Sequence, residues 1–144
     1  MTKNEIFQLM NENPGFFLAT VDGNIPHVRG MLLYRADEDG ILFHTAASKD
    51  VYRQIKQNPH AELCFLDPKT NVQLRVNGRL DIEDSKTLKD EIINHPSRNF
   101  LSAWKESLPA DAFYDDFIIF CLRGGKATLW SMETNFSEKE YINL

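Results

Sequence analysis

Two Asp-Gly steps, Asp22-Gly23 and Asp39-Gly40, constrain this chain more than any other feature of it. Each lies between runs rich in aromatic and branched residues. In that setting Asp-Gly signals a tight hairpin, because both positions tolerate the positive φ that a type I′ turn requires. The flanking runs are Phe16 to Val21, Ile25 to about Arg35, and Ile41 to Thr45. Strands joined so closely pair as antiparallel neighbours. Pro26 falls near the start of the second run, where a missing N–H is tolerable.

After Thr45 the period changes from two to that of a helix. Val51 and Ile55 stand one turn apart within Ser48 to Gln57, and Asn58-Pro59 stops the segment. A helix opening at Ser48-Lys49 offers a capping hydroxyl, free first-turn N–H groups and a lysine, a combination suited to a phosphate monoester. Arg29, on the strand paired with the one feeding this turn, supplies a second fixed positive charge.

The remaining segments extend the pattern. Thr2 to Asn13 reads as an amphipathic helix, with Thr2 and Glu5 placed as a capping box. Ala61 to Leu66 is a strand, and Val72 to Ile82 alternates Val, Leu and Val with Gln73, Arg75 and Asn77. Those polar side chains either face water, as on a one-sided sheet, or face a bound cofactor. Asp84 or Ser85 caps a helix over Lys86 to Asn94, Pro96 breaks it, and Arg98 to Ser107 forms a second helical segment carrying Phe100, Leu101 and Trp104. Phe117 to Leu122 and Ala127 to Met132 read as a last hairpin around Arg123-Gly124-Gly125-Lys126.

Strands joined mostly by tight turns, with helices inserted at intervals, predict a mainly β (α+β) fold: an antiparallel six- to seven-stranded β-barrel with peripheral helices. Closure also removes exposed sheet edges. Regular strand–helix alternation is absent, and Gly124-Gly125 is too short for a dinucleotide fingerprint, so a Rossmann domain is not expected.

The 144 residues fit one domain, 1–144, long enough to bury roughly 70% of the unfolded surface. A formal net charge of −5 disfavours a general nucleic-acid partner. Cys64 and Cys121 sit in apolar runs without CxxC spacing, so they read as small hydrophobes, not as a metal site or disulfide. The first residues are too polar for a signal peptide, and no apolar run reaches the roughly 18 residues of a membrane span. A cytoplasmic protein without a membrane partner is the expectation.

Three stretches, IPHVRGMLLY, LFHTAASKDVYRQIKQNPHAELCF and VQLRVNGRLD, in this order and spacing resemble the FMN-binding split-barrel family that includes pyridoxamine 5'-phosphate oxidase. Within it the chain is most similar to the small nitroimidazole-resistance (Nim-type) members. The resemblance implies that Arg29 and Lys49, with Ser48, hold the FMN phosphate. Main-chain groups of Gly30, Met31 and Leu32, with His44 and Thr45, would line the ribityl chain and the ring, and Gln73 matches the family glutamine that hydrogen-bonds the flavin.

The family also implies a homodimer with two FMN sites at the subunit interface and a small-molecule substrate. Trp104 has two readings: packing in a core or dimer contact, or closing the site from the partner. His27 and His44 are weaker candidates for acid–base work. No Arg-x-Leu segment of the kind that grips the vitamin phosphate follows Gly124-Gly125, so oxidation of pyridoxine phosphate is not expected. The expected activity is that of an FMN-dependent oxidoreductase, nitroreductase-type reactions included. A non-catalytic flavin or haem binder is the alternative.

Overall fold

The computed structural model describes residues 1–144. Helix α1, Lys3–Glu12, is opened by the expected capping box: Thr2 Oγ1 accepts from the Glu5 N–H at 3.2 Å, and the Glu5 carboxylate accepts from the Thr2 N–H at 2.6 Å. Its buried face, Ile6, Phe7, Leu9 and Met10, packs on the barrel core.

Strands β1 (Gly15–Asp22), β2 (Ile25–Asp37) and β3 (Gly40–Ala46) form the two expected hairpins. Gly23 and Gly40 carry φ of 60° and 134°, where glycine is favoured, but Asp22 and Asp39 do not have positive φ. The closing pairs are Asp22–Ile25 and Asp37–Gly40, so neither Asp-Gly step is the centre of a type I′ turn. Helix α2 (Asp50–Gln57) then leads to β4 (His60–Asp67) and β5 (Val72–Ile82). Further on come α3 (Lys86–Asn94), β6 (Phe117–Leu122), β7 (Lys126–Trp130) and the short β8 (Ile142–Asn143). Six antiparallel strands close a ring in the order β1-β2-β3-β6-β5-β4, with β7 and β8 appended along β5.

Two long strands are each shared between neighbours, and this splits the barrel. β2 pairs with β1 over Ile25–Leu32, then with β3 only from Leu33 onward, after which the register shifts at a bulge before Arg35. β5 pairs with β4 along one edge, and along the other with β7 over Gln73–Asn77 and β6 over Leu80–Ile82. Where β2 leaves β3, helix α2 packs against β1 and β3.

The last hairpin read from the sequence is not formed. β6 and β7 do not pair with each other; both run antiparallel to β5 along one edge, end to end. Between the pairs Leu80–Leu122 and Asn77–Lys126, three residues of this strand face two of β5, so Arg123-Gly124-Gly125 is a bulge, not a turn. A Cβ on Gly125 would lie 2.6 Å from Leu122 Cδ2 and 2.9 Å from Val76 Cγ1, so close packing there excludes a side chain.

The helical reading of Arg98–Ser107 is also revised. Pro96, which cannot continue α3, starts a 3-10 turn over Pro96–Leu101, and α4 (Ser102–Ser107) follows. A further helix, α5 (Ala110–Asp116), had no sequence expectation, because Phe113 is its only buried residue and no apolar period marks it.

Two cores result. The larger fills the barrel around Phe16, Phe43, Phe65 and Phe120. The smaller lies outside β3 and β6, where Ile92, Leu101, Phe113 and Phe117 meet Leu42, Ile119 and Cys121. Cys121 is buried and Cys64 partly so, both as free thiols. No helix is long and apolar enough to cross a membrane.

Candidate functional site

A cleft of about 1050 Å³ opens where β2 and β3 part, between the start of α2 and the segment from the 3-10 turn to α4. Arg29, Lys49 and Ser48 line it, as do Gly30, Met31 and Leu32 of β2 and His44 and Thr45 of β3. Trp104, Leu101 and Phe100 supply an apolar wall from their own chain.

Arg29 is held from behind. Its Nη1 donates to the Leu18 carbonyl at 3.2 Å and Thr20 Oγ1 at 2.7 Å, and its Nη2 donates to Gln54 Oε1 at 2.6 Å. Thr20 in turn donates to Gln54 Oε1 at 2.6 Å, and both residues are almost fully buried. A guanidinium has five N–H donors. Three bonds leave the Nε–H and one Nη2–H, which share one edge of the plane, free for a bidentate oxyanion.

Burial lowers the Arg29 pKa, with Asp50 acting in the opposite sense. Neither Arg29 nor Lys49 forms an ion pair with an acid. Two cations without anionic partners thus line one cleft.

The start of α2 differs from the sequence expectation. Lys49, not Ser48, occupies the cap position, and no side chain caps the helix. Asp116 explains this: its carbonyl accepts from the Ala47 N–H at 2.8 Å and its Oδ1 from the Ser48 N–H at 3.3 Å, which fixes Ser48 one residue before the cap. The Tyr52 N–H turns back to the Lys49 carbonyl at 3.1 Å, whereas the Asp50 and Val51 amides of the first turn are left for another acceptor, and the helix dipole there favours an anion.

Along β2, Leu33 donates to the Pro14 carbonyl at 2.7 Å. Antiparallel alternation then turns the N–H and C=O of Gly30 away from β1, toward the cleft. Thr45 is buried, and Met31 packs partly on the barrel core. Trp104 makes edge contacts with Phe113 at 5.1 Å and Phe117 at 5.7 Å, so it belongs both to the outer core and to the cleft wall.

Gln73 is not brought into this cleft. It pairs with Leu66 and Trp130 on the outer face of the sheet.

His44 lies against Arg98, a residue with no signal in the sequence beyond its place after Pro96. Arg98 is 4% exposed; its Nε donates to His44 Nε2 at 3.0 Å and its Nη2 to the Leu33 carbonyl at 2.7 Å. Burial, then Arg98, then Lys49 push the His44 pKa down to about 4. Thr20 and Gln54 were also unmarked, although a polar residue on the helix face of Val51 and Ile55 is a usable sign of a buried polar contact.

The sequence pattern of the family described as "Pyridoxamine 5'-phosphate oxidase" matches residues 2–119. The chain belongs to this family, and its fold is the FMN-binding split barrel. A pyridoxine/pyridoxamine 5'-phosphate oxidase from Chromohalobacter salexigens is 32% identical over 88 residues, covering 60% of this chain and 41% of that protein. A relative from Mesorhizobium japonicum is 31% identical over 114 residues, and there the match covers 54% of the protein. The chain thus spans about half or less of the length of such relatives.

Among solved structures, a NimC/NimA family protein from Clostridium acetobutylicum superposes with a TM-score of 0.75 at 20% identity, covering 98% of this chain and 92% of that one. A pyridoxamine 5'-phosphate oxidase-related, FMN-binding protein from Nostoc punctiforme gives 0.63 at 19% identity, covering 99% and 96%.

Proposed function

We propose that this cleft binds FMN and that the chain acts, as a cytoplasmic homodimer, as an FMN-dependent oxidoreductase on small acceptors such as nitro compounds. The observation that carries the reading is the juxtaposition of the uncommitted edge of Arg29 with Lys49 and the uncapped start of α2 on one cleft. Arginine presents a planar fork and lysine a compact charge, and together they suit a phosphate monoester. The cleft volume admits a flavin-sized ligand, and Leu101 and Trp104 offer an apolar wall for a flat ring. Membership of a family with an FMN-binding relative of the same fold supports the choice of flavin.

Bound FMN would supply hydride and electron transfer, while the chain supplies position, electrostatics and access. Arg29 and Lys49 fix the phosphate end, the Gly30 main chain faces the cleft, and the aromatic wall excludes water from one side. The outer face of the sheet favours a dimer. Phe17, Val28 and Leu66 are 58%, 69% and 53% exposed and lie on one face by register, a patch of the sort that marks an interface. Gln73 shares that face with Leu66, so a second copy seated there is the route by which Gln73 reaches a flavin, that of the partner.

The test is a visible spectrum of the purified protein followed by titration of apo protein with FMN. A flavin band and micromolar or tighter binding, weakened in Arg29→Met and Lys49→Met, is the expected result. Colourless protein that does not take up FMN refutes the reading. Oxidation of reduced nicotinamide with a nitroaromatic acceptor separates an oxidoreductase from a carrier that binds flavin without turnover.

A further inference from the structure

His44 meets the cleft from β3 and is approached from behind by a group that has only donors. Arg98 Nε lies 3.0 Å from His44 Nε2, and a guanidinium has no lone pair to offer. Nε2 is therefore the acceptor, and the neutral ring carries its proton on Nδ1. That Nδ1 has no hydrogen-bond partner in the protein, yet it is not sealed in: the one buried side-chain nitrogen or oxygen without a hydrogen bond is Arg35 Nε, which lies 2.9 Å from the Asp37 carboxylate as an ion pair. The N–H is accordingly accessible, on a residue that lines the cleft.

Arg98 is itself fixed. Besides His44 it donates to the Leu33 carbonyl at 2.7 Å and Ser97 Oγ at 3.1 Å, and its guanidinium lies over the rings of Tyr34 and Phe100 at 5.4 Å and 5.9 Å. We propose that Arg98 is a positioning residue that locks His44 in the neutral Nδ1–H tautomer, so that His44 serves as a permanent hydrogen-bond donor to an acceptor atom of the bound ligand. The acceptor is a carbonyl oxygen or an unprotonated ring nitrogen, and identifying it as part of a flavin rests on the function proposed above.

The charged groups around His44 act in one direction close by and in both farther out. Arg98 from the 3-10 turn and Lys49 before α2 both oppose a second proton on the ring. Arg29 from β2 lines the same cleft with positive charge, and Asp50 of α2 and Asp116 of α5 line it with negative charge. Phe117 of β6 covers the ring at 5.2 Å and contributes no charge. Neighbouring cations and burial together keep the ring neutral through the physiological range.

The test begins with nitrogen NMR of the ligand-free protein between pH 5.5 and 8. One pyridine-like and one pyrrole-like nitrogen on His44, unchanged across that range, is the expected pattern; averaged nitrogens, or titration near the ordinary histidine value, overturns the proposal. FMN affinity follows. His44→Asn, which keeps an N–H near the Nδ1 position, is expected to bind within threefold of the native protein, and His44→Leu at least tenfold more weakly; equal affinities for the two overturn the donor role.

Arg98→Met is expected to add at least a fivefold pH dependence of FMN affinity over that range, beyond the dependence the native protein shows from the second ionisation of the phosphate near pH ~6. Because Arg98 also holds the Leu33 carbonyl, the NMR pattern of the native protein decides the case should that variant not fold. The expected NMR pattern in a protein that never binds FMN refutes the flavin reading and leaves the tautomer assignment standing.

Discussion

Replacing Arg29 with Met separates its two jobs. Inside the protein its guanidinium makes three hydrogen bonds, to Leu18, Thr20 and Gln54. At about 1 kcal/mol net for each, their loss would approach 3 kcal/mol. Thr20 still donates to Gln54 Oε1 at 2.6 Å, so neither buried polar side chain is orphaned. A loss of about 2 kcal/mol follows, or roughly 6–10 °C in Tm for a domain of this size.

Toward the ligand, Arg29 has two N–H groups left, and charge-assisted bonds are worth about 1.5–3 kcal/mol. Taking about 3 kcal/mol for the fork, FMN affinity falls roughly 150-fold. Lys49 makes no internal bond that would be lost. Lys49→Met should therefore shift stability by less than about 0.5 kcal/mol, yet weaken FMN by roughly fivefold and reduce the salt dependence of binding. Melting of the apo proteins and fluorescence titration with FMN measure both quantities. An Arg29→Met protein that melts earlier but binds FMN within threefold of the native protein would refute the phosphate-anchor argument.

Three further outcomes are expected. Gly125→Ala forces a methyl against Leu122 and Val76 and should lower unfolding free energy by about 1–3 kcal/mol in urea, whereas Gly15→Ala, with nothing within 4 Å, should be close to neutral. Phe17→Glu or Val28→Glu should convert a dimer to a monomer in light scattering while leaving the fold's circular dichroism unchanged. With a folded pKa of about 4 against an ordinary 6.5, His44 binds fewer protons folded than unfolded between those values. Stability is thus full above pH 6.5 and declines as pH falls toward 4, by up to about 3 kcal/mol, and His44→Leu should flatten that limb in a pH series of urea melts.

Elements with strong local chemistry were legible in the sequence. Asp-Gly turns, the Thr2–Glu5 box and the Asn58-Pro59 stop each act over a few residues, and the corresponding hairpins and helices formed. The failures lie where a distant contact decides. Arg123-Gly124-Gly125 has turn chemistry, but pairing with β5 on both sides makes it a bulge. Ser48 has capping chemistry, yet Asp116, far along the chain, holds it too early. Arg29 and Lys49 were readable as cations at the right spacing, whereas the Thr20–Gln54 brace and the Arg98–His44 pair join residues 34 and 54 positions apart. No local period encodes such pairs.

The two cores have a consequence for how ligands come and go. One side of the cleft belongs to the barrel, whose strands are closed into a ring, while Leu101 and Trp104 stand on a small cap with its own handful of packed aromatics. A cap of that size can open alone, at a free energy below that of global unfolding. On the function proposed above, exchange of a bound molecule then requires only this brief local opening, during which Arg29 and its Thr20–Gln54 brace stay assembled on the barrel side.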